Sequence, residues 1–261
     1  MLTRWLKPKA VATRKTNLRL LELEARENPS LTIQFDYSFD SSHFFDQQSR
    51  RDTLQLAANN LASRIGSTLD AIAPNPGAGN TWTLTTFNPS DPFNRNSDIT
   101  ITNADIAAGT IKIYVGAETG LGGGEASLGG SGGYSASGSQ SWLDSLKTRD
   151  SSRLGPWGGS ITFDPTTNWN SSTSAPGSNQ IDFYTVATHE LGHVLGFGTA
   201  QQYFQYVSGD IFYGPNATAV NGGQYPHLHS NADQAHWQQG LTAIDRQPCN
   251  FSIFECFLQS V

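Results

Sequence analysis

The sequence predicts an α+β fold: short strands of alternating polarity, one long amphipathic helix, and a second helix carrying metal-ligand spacing. Three observations support this. In LTIQFDYSF (residues 31–39), Leu31, Ile33, Phe35, Tyr37 and Phe39 fall on one face, the period of a half-buried strand. From about Asp46 to Ile72 the period lengthens: Leu54, Ala58, Leu61, Ile65, Leu69 and Ile72 recur at three and four, as on a helix with one buried stripe. In ATHELGHVLGFGTA (187–200), two histidines stand four apart with a glutamate beside the first.

The remaining elements follow in order. PNPGAGN ends the long helix, since Pro and Gly both break it. TWTLTTF (81–87), DITIT and TIKIYVGA (110–117) read as strands, rich in Thr and Ile and alternating. The glycine-rich run GAETGLGGGEASLGGSGGYSASGSQ reads as a flexible surface loop. It contains G-x-G patterns, but no helical pattern follows them and no partner acid sits on a second strand, which argues against a phosphate cradle. WGGSITFD (157–164) is a further strand. PTTNWNSSTSAPGSNQ is a turn-rich connector with room for one short strand. The motif helix then runs from about Ile181 to Leu195, and residues 197–261 are irregular.

Composition limits the function classes. Charged residues make up only 15% of the chain and the formal net charge is −6, which argues against a nucleic-acid binder. Abundant Gly, Ser, Thr, Asn and Gln fit a secreted or cell-surface protein. No apolar run approaches the ~20 residues of a membrane span. Residues 1–30 form a basic N-terminal arm, disordered or export-related, with Arg4, Lys7, Lys9, Arg14 and Lys15 preceding the first acid, Glu22. The two cysteines, Cys249 and Cys256, do not have a zinc-finger spacing; they can close a disulfide in an oxidising compartment or remain two thiols. No loop motif supports a calcium site.

On a helix, positions i and i+4 lie on one face, roughly 40° apart around the axis. His189 and His193 can therefore point at one ion, at about 2.0–2.1 Å for Zn²⁺. Glu190 is turned too far to share that ion but reaches a water beside it, the position of a general base. Phe183, Val186, Ala187, Val194 and Leu195 seat the opposite face in the core. Gly196 can end the helix in a left-handed turn, and Gly198 adds a second flexible point, so the chain can double back under the metal.

A catalytic zinc keeps three protein ligands. In the contiguous pattern H-E-x-x-H-x-x-G-x-x-H the last position falls on Thr199, a poor ligand. The third ligand must come from further along, among His227, His229, His236, Asp210, Asp233, Asp245 and Glu255. His236 is the strongest, with Trp237 able to pack beside the site and Asp233 able to hold an imidazole N–H. His227 and His229, in the turn YPHLHS, are the runners-up.

HELGHVLGF followed at a distance by HW resembles metzincin-type zinc metallopeptidases of the leishmanolysin-like kind, whose third histidine is separated from the helix by an inserted segment. FDYSFD, NTWTLTTFNP, WGGSITFD, ATHELGHVLGFGTA and FYGPNATAVNGG extend the resemblance, over most of 31–240, to a family of bacterial secreted metalloproteases in the same clan. The resemblance implies a metzincin-like domain over 31–261: a twisted mixed sheet with a backing helix and an active-site helix (31–198), then an irregular C-terminal subdomain (199–261), complete or truncated. It implies Zn²⁺ on His189, His193 and His236, Glu190 as general base, protein or peptide as substrate, and GGSITFD as the edge strand that binds it. One feature departs from the family. Metzincins carry a methionine turn beneath the zinc, and here the only methionine is Met1, with AIDRQP and Ile244 standing where that turn would fall. That departure keeps open a catalytically impaired zinc-binding surface protein.

Overall fold

A computed structural model of the chain describes residues 31–65, 69–121, 126–150 and 157–238. The basic arm, Asp245, Ile244, Glu255, Cys249 and Cys256 lie outside the described residues.

The opening strand is β1, Thr32–Asp36, and the backing helix is α1, Gln48–Ala62. The helix ends before the expected Ile72. Leu69 and Ile72 are buried as the spacing requires, but in extended chain: Ile72 exchanges both backbone hydrogen bonds with Ile106 at 2.9 Å. The helix is capped at Ser63, whose N–H bonds to Asn59 C=O, while Ile65, Leu69 and Ile72 beyond it still face the interior.

Three expected strands follow: β2 (Thr81–Thr86), β3 (Ile99–Thr102) and β4 (Thr110–Ala117). The glycine-rich run then departs from its reading as a loop. It forms β5 (Ser127–Ser131) and β6 (Gly133–Ser137), followed by helix α2 (Gln140–Asp150). Next come β7 (Gly158–Phe163) and the short parallel pair β8 (Trp169–Asn170) and β9 (Ile181–Asp182), which closes the connector. The motif helix is α3, Phe183–Val194. Beyond it lie α4 (Gln201–Phe204), the two-residue pair β10 (Val207–Ser208) and β11 (Ile211–Phe212), and α5 (Pro215–Val220).

The main sheet has the order β1-β4-β7-β5. Strands β1, β4 and β7 are parallel, and β5 runs antiparallel to β7 along one edge. A second, antiparallel sheet has the order β3-β2-β6. Side-chain alternation along β4 divides the interior. Ile111, Ile113, Val115 and Ala117 join the core that holds α1 and α3, while Tyr114 faces a second core with Trp82, Leu84, Trp142 and Trp157. The main sheet thus lies between two helices on one face and the smaller sheet with α2 on the other. This is a mixed α+β fold compatible with a metzincin-like architecture.

The position of β7 corrects the edge-strand expectation. GGSITF is buried along its whole length, because β4 and β5 pair with both its edges and both its faces are covered. The edge strand is β5, SLGGS, and it lies against α3.

Candidate metal centre

Helix α3 is anchored at both ends. At its start, the Asp182 carboxylate accepts from Thr185 N–H at 3.1 Å and from Thr185 Oγ1 at 2.6 Å, satisfying a first-turn donor. Phe183 packs on Phe163 of β7 with ring centroids 4.8 Å apart. Ala187, Leu191, Val194 and Leu195 are fully buried, as the sequence requires. Val186 is only partly buried and lines the cleft described below.

At its end, Gly196 N–H bonds to His193 C=O and Phe197 N–H to Gly192 C=O, the paired bonds of a Schellman turn, with Gly196 at φ 112°. That turn aims Phe197 C=O back at the helix, where it accepts from His193 Nδ1 at 2.8 Å. With the proton held on Nδ1, the lone pair of His193 is on Nε2. His193 Nε2 stands 3.1 Å from His189 Nε2. Thr199 has its own role at this turn: its hydroxyl donates to His193 C=O at 2.5 Å, adding a second donor to the carbonyl that Gly196 N–H already bonds.

The third histidine arrives through long-range packing. Gly198 has φ +67°, and a Cβ there would stand 2.5 Å from the Ala235 Cβ, so the returning strand of chain can touch it only because it has none. The buried Tyr203 donates its hydroxyl to Gln234 C=O at 2.8 Å. Trp237 lies 5.1 Å from the Phe197 ring and 5.5 Å from the Phe212 ring. These contacts hold His236 parallel to His189 (centroids 5.2 Å apart) and edge-on to His193 (5.1 Å). Asp233 accepts from His236 Nδ1, at 2.8 and 3.0 Å to its two oxygens, which again leaves Nε2 as the lone-pair nitrogen.

One ligand atom from each of His189, His193 and His236 lies within 4.8 Å of the others, so the triad can hold a metal ion. The donor set fits zinc: three imidazoles, with Nδ1–H of His193 and of His236 tied off by oxygen acceptors. In a tetrahedron with bonds near 2.05 Å, adjacent nitrogens are about 3.3 Å apart, close to the His189–His193 spacing. Electrostatics favour neutral rings. Burial, then the charges of His193 and His236, push His189 down to about 3, and burial pushes His193 down as well. Burial alone would raise the Asp233 carboxyl, but hydrogen bonds from His236 and Ala235 N–H, with the charges of His236 and His229, hold it below the usual range.

His227 and His229 stay outside the triad. His227 pairs with Asp210 at 3.1 Å, and His229 contacts the far oxygen of Asp233 at 3.4 Å. Glu190 is 5% exposed and faces β5, where Ser127 Oγ donates to its Oε1 at 2.6 Å. A cleft of about 510 Å³ opens over Glu190 and the three histidines of the triad, lined also by Ala126–Gly129 of the β5 segment and by Thr185, Val186 and Ala235. Sequence reasoning missed Ser127 and Gly129. The only local signal was the lone Ser127-Leu128 pair inside a glycine run, and glycine content outweighed it.

The Matrixin family model matches residues 135–204, a span that holds His189, Glu190 and His193 but ends before His236. No match is found among curated proteins or among solved structures. The Matrixin match, together with a histidine triad able to hold a metal, supports a metzincin-type metallopeptidase.

Proposed function

We propose that this chain is a secreted zinc-dependent endopeptidase, leishmanolysin-like in drawing its third ligand from a distal segment. The observation that carries the reading is the convergence of His189, His193 and His236 beside a buried Glu190 in an open cleft. A zinc ion held by His189, His193 and His236 would supply Lewis acidity there, lowering the pKa of water toward about 7. Glu190 takes the proton of the attacking water and delivers it to the leaving amine. The substrate is an extended peptide. It adds to the outer edge of β5, which brings a scissile bond over the triad, with the cleft beside α3 receiving a side chain. The low charge and polar composition support an extracellular location.

Glu190→Gln keeps shape and zinc while removing the base, and cleavage falls about 10²–10⁴-fold. A variant that binds zinc and cleaves a quenched-fluorescence peptide at the parent rate would refute the assignment. The absence of any methionine after Met1 favours the second reading, an impaired zinc-binding surface protein. Stoichiometric zinc in the parent with no chelator-sensitive cleavage would select it.

A further inference from the structure

Strand β5 does more than form a sheet edge. Residues Ser127 and Gly129 share one face of it, and both meet Glu190. The Ser127 hydroxyl donates to Oε1 at 2.6 Å. At Gly129 a Cβ would stand 2.6 Å from Glu190 C=O, 2.9 Å from Oε2 and 3.0 Å from Glu190 Cβ. The bare backbone at Gly129 lets the helix come this close, and the hydroxyl two residues earlier grips the carboxylate that arrives. The Glu190 side chain carries three rotatable bonds, so burial alone does not select one direction for its oxygens.

We propose that Ser127 is a positioning residue for Glu190: its hydrogen bond sets the carboxylate torsion and holds the base, carried on α3, against the strand that receives the peptide. This rests on the peptidase reading above. Holding the base on the substrate strand ties the two together, since a peptide in register on β5 is then in register with Glu190. A purely structural role for Ser127, in keeping β5 on β7, makes a different prediction. Its loss would raise KM and lower Tm with kcat intact. Loss of positioning lowers kcat with KM, Tm and zinc content kept, because a displacement near 1 Å at a reacting group costs about 10²-fold.

The test compares parent, Ser127→Ala, Ser127→Thr and Glu190→Gln, each loaded with zinc and assayed on one quenched-fluorescence peptide. A crystal structure of metal-free Ser127→Ala accompanies the kinetics. Ser127→Ala is expected to lower kcat about 10–100-fold with KM within about twofold of the parent. Ser127→Thr, which keeps the hydroxyl and suits a strand, restores most of it. In the crystal, Glu190 leaves its place against Gly129. An unchanged kcat in Ser127→Ala, or a Glu190 carboxylate in its original orientation there, overturns the proposal. A parent without cleavage, or an active Glu190→Gln, removes the peptidase reading instead, and the crystal comparison still decides the Ser127 contact.

Discussion

Replacing Asp233 by alanine is expected to weaken zinc binding about tenfold. The carboxylate receives His236 Nδ1–H at 2.8 and 3.0 Å and so fixes both the tautomer and the ring direction of the one ligand that α3 does not carry. A hydrogen bond to a charged acceptor contributes roughly 1.5–3 kcal/mol when sheltered. The Asp233 side chain is 36% exposed and that of His236 45%, so solvent screening brings the expected contribution to about 1.4 kcal/mol, a factor of ten in affinity. That is the lower end of the ~10–100-fold range for partners that orient metal-bound histidines. Asp233→Asn keeps an acceptor without the charge and falls between the parent and Asp233→Ala. Competition against a chromophoric zinc chelator at neutral pH measures all three, with circular dichroism checking that the fold is kept. An Asp233→Ala variant whose zinc Kd stays within about twofold of the parent would show that Asp233 does not orient the ligand.

Two further outcomes follow from the same geometry. His236→Ala loses stoichiometric zinc by elemental analysis, whereas His227→Ala, which removes a side chain paired with Asp210 outside the triad, retains it; the reverse pattern would reassign the third ligand. Acid also destabilises the metal-free protein. His189 is held down to about 3 and His193 is lowered, while both titrate near ~6.5 in the unfolded chain, so below about pH 6.5 the unfolded state binds protons that the folded state refuses. Stability is therefore full above that pH and falls as pH drops toward 3, by up to about 1.4 kcal/mol per pH unit from His189, with His193 acting in the same direction. Thermal melts of the metal-free protein between about pH 7.5 and about pH 5 should show a steady loss of Tm, and a flat profile would contradict the burial of these rings.

Much of the core of this molecule was legible from periodicity. The alternation of Ile111, Ile113, Val115 and Ala117 marks the buried face of β4, and the spacing of Leu54, Ala58 and Leu61 marks the buried stripe of α1. The motif helix was legible at nearly residue resolution, including the glycine turn after His193. Helix and strand periods are local, and a metal pair four residues apart on a helix needs nothing distant to be read. The edge strand was misplaced for an equally physical reason. SLGGS has the composition of a loop, and it becomes a strand because β7 supplies a partner, while its bare Gly129 admits α3 alongside.

By itself, then, the sequence determined most of the residues that lie inside, where α3 runs, and that two imidazoles and a carboxylate share one stretch of it. Tertiary structure decided three things: that β5 rather than β7 is the edge, that Ser127 grips Glu190, and that His236 rather than His227 or His229 closes the triad. Each of these depends on a contact between segments far apart in the chain. Their relative positions come from the packing of Trp237 on Phe197 and Phe212, the left-handed turn at Gly198 and the pairing of β5 with β7. No local pattern of residues encodes such distances.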